Sequence, residues 1–236
     1  MKIAYLMNGL VGGLSGKNCQ RTDNDITHLI LELCAKTHKH IHNDNVDIDY
    51  FIFSWEPNLD SIYDKLFNPK SYKSEIQKKF KVPKHYDNLK DDLRIQSHYA
   101  RWYGAKEVYN MCLNYSTEKN IHYDLVVNAR IDMYYHQNWP NRNELVDHFF
   151  ASNFENMGKF LYIYDFLNQY TMPGQCPSWN NISSHMLIVW HLRKLGLLST
   201  DIIKEKLTTR FDNKSGVDYH IFRYQKLDRK QLLNIL

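Results

Sequence analysis

YDLVVNARIDMYY, residues 123–135, is the most informative stretch of this chain. Its apolar run, residues 125–127, is rich in β-branched side chains, which is typical of a strand buried on both faces of a mainly parallel sheet. The run then becomes polar, with Asn128, Arg130 and Asp132 at alternate positions, on one face of an extended chain. Ligands of open α/β sheets bind beyond the carboxyl ends of strands, so these residues are a candidate site. An Arg/Asp pair that only closes a surface strand is the alternative.

The composition is ordinary for a globular protein. The chain has 236 residues, of which 43% are hydrophobic and 24% charged, enough for one large α/β core. The formal net charge of +4 is mild, and the lysines of residues 78–84 are followed by acids, which argues against nucleic acid as a partner. No apolar run approaches ~20 residues, so we expect no transmembrane segment.

The cysteines and the amino terminus indicate a cytoplasmic protein. The four cysteines are Cys19, Cys34, Cys112 and Cys176. They are far apart and lack the paired spacing of zinc ligands, so we expect free thiols in a reducing compartment. The apolar run at residues 1–13 is broken by Asn8 and is followed by no small-residue cleavage site. This segment is therefore interpreted as a first strand.

Hydrophobic periodicity predicts a single α/β, Rossmann-like domain with a mixed, mainly parallel sheet and helices on both faces. The predicted strands are residues 2–7, 46–54, 124–132 and 159–164. The predicted helices are residues 23–41, 62–67, 91–115, 144–150, 183–195 and 201–207. Residues 170–181 contain two prolines and a glycine, which predicts a long loop over the site.

Two further segments carry candidate binding residues. Residues 8–17, NGLVGGLSGK, are rich in glycine, which lets a backbone approach phosphate or ribose closely. Their spacing matches neither the Walker motif nor the dinucleotide fingerprint, so a nucleotide loop and a flexible connector both remain open. The helix at residues 91–115 carries Ser97 and Arg101 near its start, either as ligand contacts or as the wet edge of an amphipathic helix.

Three segments of the chain follow one another in a recognisable order. Residues 1–9 end in MNG, residues 47–55 read DIDYFIFSW, and residues 123–133 read YDLVVNARIDM. They resemble, respectively, the opening strand with its ISG turn, DVFIHTW and YDLVIRTRPDL of small nucleotide-sugar glycosyltransferases with the GT-A fold. These enzymes are found in bacterial polysaccharide clusters and in large viruses. The resemblance covers about the first 135 residues.

This resemblance implies transfer of a sugar from a nucleotide-diphosphate donor to a glycan or other hydroxyl acceptor in polysaccharide biosynthesis. Residues 1–135 would form the nucleotide-sugar-binding half, and residues 136–236 the acceptor-side half, of a single domain. In this fold an acidic motif after a central strand holds Mn²⁺ or Mg²⁺, and Asp132 stands at the matching position. Arg130 replaces the first acid of that motif, so binding of the phosphate by Arg130 instead of a metal remains open.

The resemblance also suggests roles for individual residues. Asn8 and Gly9 would lie against the base and ribose, with Ser54 and Trp55 nearby. The candidate binding residues are Asn8, Gly9, Ser54, Trp55, Ser97, Arg101, Asn128 and Arg130. The candidate catalytic residues are Asp132, which would also bind the metal, and Asp165, an acceptor-side base or contact after the predicted strand at residues 159–164. Asp218 and His220 are further candidate ligands, with a surface helix as the alternative.

Two other functions remain open. A nucleotide- or sugar-binding module without catalysis is favoured by the presence of Arg130 where the resemblance leads us to expect an acid. A methyltransferase using S-adenosylmethionine would need an acid at the end of the second strand to hold the ribose. That strand ends in Ser54 and Trp55, with Glu56 only just beyond, so the methyltransferase is the weaker alternative.

Overall fold

The computed structural model of the protein defines residues 1–11, 24–38, 46–57, 59–84, 92–135, 149–176, 183–197 and 219–221. Its strands are β1 (Lys2–Gly9), β2 (Asp47–Ser54), β3 (Ser71–Ser74), β4 (Leu125–Arg130), β5 (Met133–Tyr135), β6 (Phe149–Ser152) and β7 (Tyr219–Ile221). Its helices are α1 (Asn24–His38), α2 (Asp60–Phe67), α3 (Asp92–Lys119), α4 (Phe154–Leu161), α5 (Ile163–Tyr170) and α6 (Ser184–Lys194). No helix in these ranges is long and apolar enough to cross a membrane.

The larger sheet contains five strands in the order β3-β2-β1-β4-β6. β1 pairs in parallel with both β2 and β4, and β2 pairs in parallel with β3. β6 runs antiparallel to β4 at the edge. Along the chain, β2 and β3 are added on one side of β1, and β4 and β6 are then added on its other side. The position between β1 and β4 is therefore a topological switch point, where α/β sheets bind ligands. The predicted mixed, mainly parallel sheet is confirmed, with β4 in its interior.

Helices cover both faces of this sheet, as predicted. On one face, Ile3, Tyr5 and Met7 of β1 pack in a core with residues of α1 and α2. On the other face, Ala4 and Leu6 pack in a second core with residues of α3, and α4, α5 and α6 contribute to that core. Alternate side chains of β1 thus fill two different cores, which explains why its sequence is a continuous apolar run.

The long helix α3 crosses the sheet closely at Gly104. A β-carbon at this position would lie 3.0 Å from a ring atom of Phe53 in β2. On its other side α3 buries Trp102, whose ring lies 5.7 Å from that of Phe160 in α4. Gly104 therefore lets α3 pack closely against the sheet, and Trp102 fills the space between α3 and α4.

The predicted strand at residues 159–164 is wrong. These residues span the end of α4 and the beginning of α5. Helix α4 begins after Asn153, whose side-chain oxygen accepts a hydrogen bond from the backbone N–H of Asn156 at 2.8 Å. Met157 and Phe160 then lie on one buried face at helical spacing. The aromatic and β-branched residues of this stretch also suit a strand, and packing against α3 selects the helix.

Other differences concern short elements. Residues 149–150 lie in β6 rather than in the helix predicted for residues 144–150, whose remainder is outside the described residues. The strands β3, β5 and β7 were not predicted, because three- or four-residue strands carry little periodicity. In the predicted loop at residues 170–181, residues 171–176 form turns, and the helix predicted at 201–207 lies outside the described residues.

A buried histidine joins α6 to α4 and α5. His191 is 1% exposed, and its Nδ1 lies 2.8 Å from the Tyr170 hydroxyl while its Nε2 lies 3.1 Å from the backbone oxygen of Lys159. A carbonyl oxygen only accepts, so Nε2 carries the hydrogen and Nδ1 accepts from Tyr170. Burial lowers the pKa of His191, and the neutral ring therefore fits this position.

His191 makes the stability of the protein dependent on pH. The pKa of His191 in the folded protein lies below its ordinary value of 6.5, so in this range the unfolded chain binds more protons. The contribution of His191 is fully present above about pH 6.5 and is lost as pH falls through the folded pKa. We expect urea unfolding between about pH 8 and pH 5 to show a steeper loss for the parent than for His191→Gln. The exposed His122→Gln is the control, and parallel profiles for the parent and His191→Gln would contradict this prediction.

Candidate functional site

The carboxyl ends of β1, β2 and β4 meet at one edge of the sheet. Gly9 pairs with Ser54 across β1 and β2, and Asn8 pairs with Arg130 across β1 and β4. Beyond the strands, the Trp55 backbone N–H donates to the Gly9 oxygen at 3.1 Å. The structure therefore brings together five residues that were predicted from the sequence as binding residues.

Gly9 has a backbone conformation that other residues rarely adopt. Its φ angle is +131°, and an added β-carbon would meet only the Ile131 side chain, at 3.8 Å. Glycine is thus required here by the backbone and not by lack of space in the described part of the chain. Gly9 adopts this conformation at the end of β1, directly opposite Ser54.

Substitution of Gly9 should therefore destabilise the fold as well as affect ligand binding. We expect Gly9→Ala to lower the free energy of unfolding by about 1–3 kcal/mol, measured in urea. Gly196→Ala is the matched control, because Gly196 has a φ of +69° with open space around it. Both variants should lose stability, but only Gly9→Ala, and more strongly Gly9→Val, should weaken nucleotide-sugar binding in the folded fraction. Unchanged affinity in folded Gly9→Val would remove this turn from the site.

Arg130 and Asp132 form a two-point ion pair. Arg130 Nε lies 2.7 Å from Asp132 Oδ1, and a terminal nitrogen of Arg130 lies 2.6 Å from Oδ2. The Asp132 side chain is fully buried and the Arg130 side chain is 11% exposed. Burial raises the pKa of the Cys34 thiol in α1, and the negative charge of Asp132 adds to that rise. The carboxylate thus lies near α1 and holds the guanidinium at the end of β4.

The position of Asp132 differs from the prediction. β4 ends at Arg130, and residues 131–132 form a turn before β5. Asp132 therefore does not continue the alternation of Asn128 and Arg130 along one strand. Asn128 is buried, and its amide nitrogen donates to the backbone oxygen of Leu6 at 3.4 Å. Only the turn allows both oxygens of Asp132 to reach Arg130.

Loss of one member of this pair should be costly. Asp132→Asn keeps the shape but leaves a guanidinium that is largely buried without its counter-charge, and we expect a loss of about 3–5 kcal/mol in urea unfolding. Arg130→Lys keeps the charge and should cost less. The exposed pair of Lys106 and Asp165 is the matched control, since Asp165→Asn should cost no more than about 1 kcal/mol. Equal losses in Asp132→Asn and Asp165→Asn would show that the buried pair has no special role in stability.

The Ser54 and Trp55 side chains are buried next to the candidate site. Ser54 is fully buried, and its hydroxyl accepts hydrogen bonds from the Tyr63 hydroxyl at 2.9 Å and from the Glu56 N–H at 3.1 Å. Trp55 is 5% exposed, and its ring lies 4.9 Å from that of Phe53 and 5.6 Å from that of Tyr103. These two residues support the carboxyl end of β2 through their packing.

Glu56 is a further residue at this edge, considered from the sequence only for the methyltransferase alternative. Its Oε2 accepts a hydrogen bond from the backbone N–H of Val11 at 2.7 Å. Glu56 follows β2 and Val11 follows β1, so this bond ties the beginning of the glycine-rich segment to the neighbouring strand end. The sequence signal that could have identified Glu56 is an acid close to the end of the second strand. Its partner could not be read from the sequence, because the two residues are far apart in the chain.

Ser97, Arg101 and Asp165 lie on helices. Ser97 is exposed on α3, and the guanidinium of Arg101 lies 4.7 Å from the ring centre of Trp102. Asp165 is in the first turn of α5, so its predicted position after a strand is wrong. Its carboxylate oxygens lie 2.6 and 2.8 Å from Lys106 Nζ on α3. These contacts join α5 to α3 rather than to the strand ends.

The carboxyl-terminal strand β7 lies beside the turn that contains Asp132. β7 pairs antiparallel with β5, and His220 stands opposite Tyr134. Because β5 begins directly after Asp132, this pairing brings His220 near the strand end despite its distance in sequence. The alternative of a surface helix is therefore wrong for His220. Asp218 lies outside the described residues.

The site combines a glycine with a positive φ at the end of β1, a guanidinium held by a carboxylate at the end of β4, and the strand β7 beside them. A guanidinium is one of the groups that bind phosphates, and Arg130 places one at this edge. Among the described residues, no group of three or more His, Cys, Asp or Glu side chains is placed to hold a metal ion. The chain matches no protein-family model and no curated protein sequence.

Proposed function

We propose that this protein is a glycosyltransferase that transfers a sugar from a nucleotide-diphosphate donor to a glycan or other hydroxyl acceptor. The observation that supports it best is the meeting of Gly9, Ser54 and Arg130 at the carboxyl ends of three adjacent parallel strands. Ligands of open α/β sheets bind at this place. The three segments that resemble nucleotide-sugar transferases all end at this same edge.

In the proposed reaction, a bond forms between the acceptor oxygen and the anomeric carbon, the bond between that carbon and the diphosphate breaks, and the proton of the acceptor hydroxyl passes to a base. Negative charge then develops on the leaving diphosphate. A guanidinium carries five N–H donors in a planar fork that matches the oxygens of a phosphate. Arg130, oriented by Asp132, is our candidate for this stabilising role, and Asn8 and Gly9 for contacts with the base and ribose. Asp165 stays the predicted acceptor-side base or contact.

Metal dependence is a separate prediction. Mn²⁺ or Mg²⁺ prefers carboxylate oxygens, but both oxygens of Asp132 are bonded to Arg130. The described residues therefore do not form a metal site as they stand. Metal binding would require Asp132 to release Arg130 and further ligands to join it, for which Asp218 and His220 are the candidates.

The Arg130–Asp132 pair provides the test. We expect Arg130→Lys to slow release of nucleoside diphosphate from a panel of nucleotide sugars by on the order of a hundredfold. Asp132→Asn should also lose activity, and its folded fraction must be measured under the same conditions because the pair is buried. Each variant and the parent are titrated with Mn²⁺ and Mg²⁺, and with a chelator. The exposed Glu118→Gln is the control and should keep parental activity.

The outcomes separate the possible roles. Full activity in folded Asp132→Asn would reduce the pair to a structural strand end and remove the chemistry from the proposal. Metal-free activity that depends on Arg130 would retain the transferase and discard the cation. Loss of cation-dependent binding in Asp132→Asn alone would assign the metal to Asp132.

A nucleotide- or sugar-binding module without catalysis is the second candidate. It is favoured by the complete pairing of Asp132 with Arg130, which leaves the strand end with a neutralised acid. Calorimetry with nucleotide sugars, free nucleotides and S-adenosylmethionine distinguishes the two. Saturable binding of a nucleotide sugar without diphosphate release in the presence of candidate acceptors would favour the module.

A further inference from the structure

Residues 70–84, which we call the lysine-rich strap, concentrate the positive charge of the molecule. The strap contains six lysines and one glutamate, a formal charge of +5, whereas the whole chain carries +4. The rest of the chain therefore has a net charge of −1. In the fold Lys70 is paired with Asp49, and Lys73 with Glu107. The local positive potential that attracts anionic surfaces therefore comes from the other lysines of the strap.

The strap is held rigidly on the fold. The backbone N–H of Phe80 donates to Gln96 Oε1 at 2.7 Å, and Gln96 Nε2 donates to the Phe80 oxygen at 3.0 Å. The Phe80 ring is buried and lies 6.1 Å from that of Trp55. Lys78 Nζ lies 3.8 Å from the centre of the Tyr103 ring, a cation–π contact. The remaining side chains of the strap are thus presented from a fixed backbone.

An aliphatic side chain projects from this positive segment. Ile76 is 79% exposed, the highest value for a large hydrophobic side chain in the described part of the chain, and Tyr72 is 37% exposed. Lys79, Lys81 and Lys84 are exposed on the same strap. Lysines beside a protruding aliphatic side chain suit the interface of an anionic membrane, where headgroup phosphates meet acyl chains.

We propose that the lysine-rich strap binds the anionic surface of a lipid membrane, with Ile76 entering the headgroup region and Lys79, Lys81 and Lys84 contacting lipid phosphates. A polyanion in solution would use the lysines but would gain nothing from Ile76, so the exposed isoleucine favours the membrane. This inference is independent of the proposed transferase activity.

The strap lies at the same edge of the sheet as the candidate site. It contains β3, which is parallel to β2, and just beyond the end of β3 the backbone N–H of Glu75 donates to the Ser54 oxygen at 3.0 Å. Membrane binding through the strap would therefore bring the edge that carries Gly9, Ser54 and Arg130 close to the lipid surface.

The test is co-sedimentation of the full chain with phosphatidylcholine vesicles that contain about 30% phosphatidylserine, compared with vesicles of phosphatidylcholine alone. We expect binding only to the anionic vesicles, and weaker binding as the salt concentration rises. Replacing Lys79, Lys81 and Lys84 together by glutamine should lower the binding constant on the order of a hundredfold, at about fivefold per lysine. Ile76→Ser should lower it by about tenfold.

Matched controls remove the same groups elsewhere. Replacing the exposed Lys119, Lys159 and Lys194 together by glutamine removes the same charge, and Met172→Ser removes a side chain that is 46% exposed. Both controls should bind within a few fold of the parent, because their sites lie outside the strap. Circular dichroism and thermal unfolding establish that every variant is folded.

Three results would overturn the proposal. The first is the absence of binding to anionic vesicles, or equal binding to both kinds of vesicle. The second is an equal loss in the strap triple variant and the control triple variant. The third is an unchanged vesicle affinity in Ile76→Ser together with tight binding of heparin or duplex DNA, which would assign the strap to a soluble polyanion.

Discussion

The parallel pairing of β1 on both of its sides is the constraint on which the rest of the structure depends. Every residue from Ile3 to Met7 is inaccessible to solvent, so both faces of this strand must be covered. A shift of one residue in its register would move each side chain into the opposite core. The same register places Gly9 opposite Ser54 and Asn8 opposite Arg130. The core packing of β1 therefore also determines the geometry of the candidate site.

The charges at this site are positioned by a buried ion pair at the end of β4. Removing a guanidinium and a carboxylate from water has a large desolvation free energy, and their mutual hydrogen bonds offset it only when the geometry is good. The turn at residues 131–132 provides that geometry, since it directs Asp132 back to Arg130. A pair of this kind is poorly explained by stability alone, and a cation fixed beside a glycine turn is suited to an anionic ligand.

The site and the lysine-rich strap share one aromatic cluster. Trp55 directly follows β2 beside the candidate site, and its ring packs near Phe80 of the strap and Tyr103 of α3. Burial of these rings links three segments that are distant in sequence. A displacement of the strap would therefore also shift Trp55 beside the candidate site, because well-packed interiors transmit displacement.

The sequence by itself determined the elements with strong periodicity: β1, β2 and β4, the helices α1, α3 and α6, and five residues at their meeting edge. Long apolar runs and helical spacing are local properties, and parallel strands that follow in order end at the same edge. Only the tertiary structure decided the rest. Residues 159–164 are compatible with a strand or a helix, and their contacts with α3 stabilise the helical conformation. The pairing of Asp132 with Arg130, and of β7 with β5, depends on a turn and on a contact between distant residues, which no local pattern encodes.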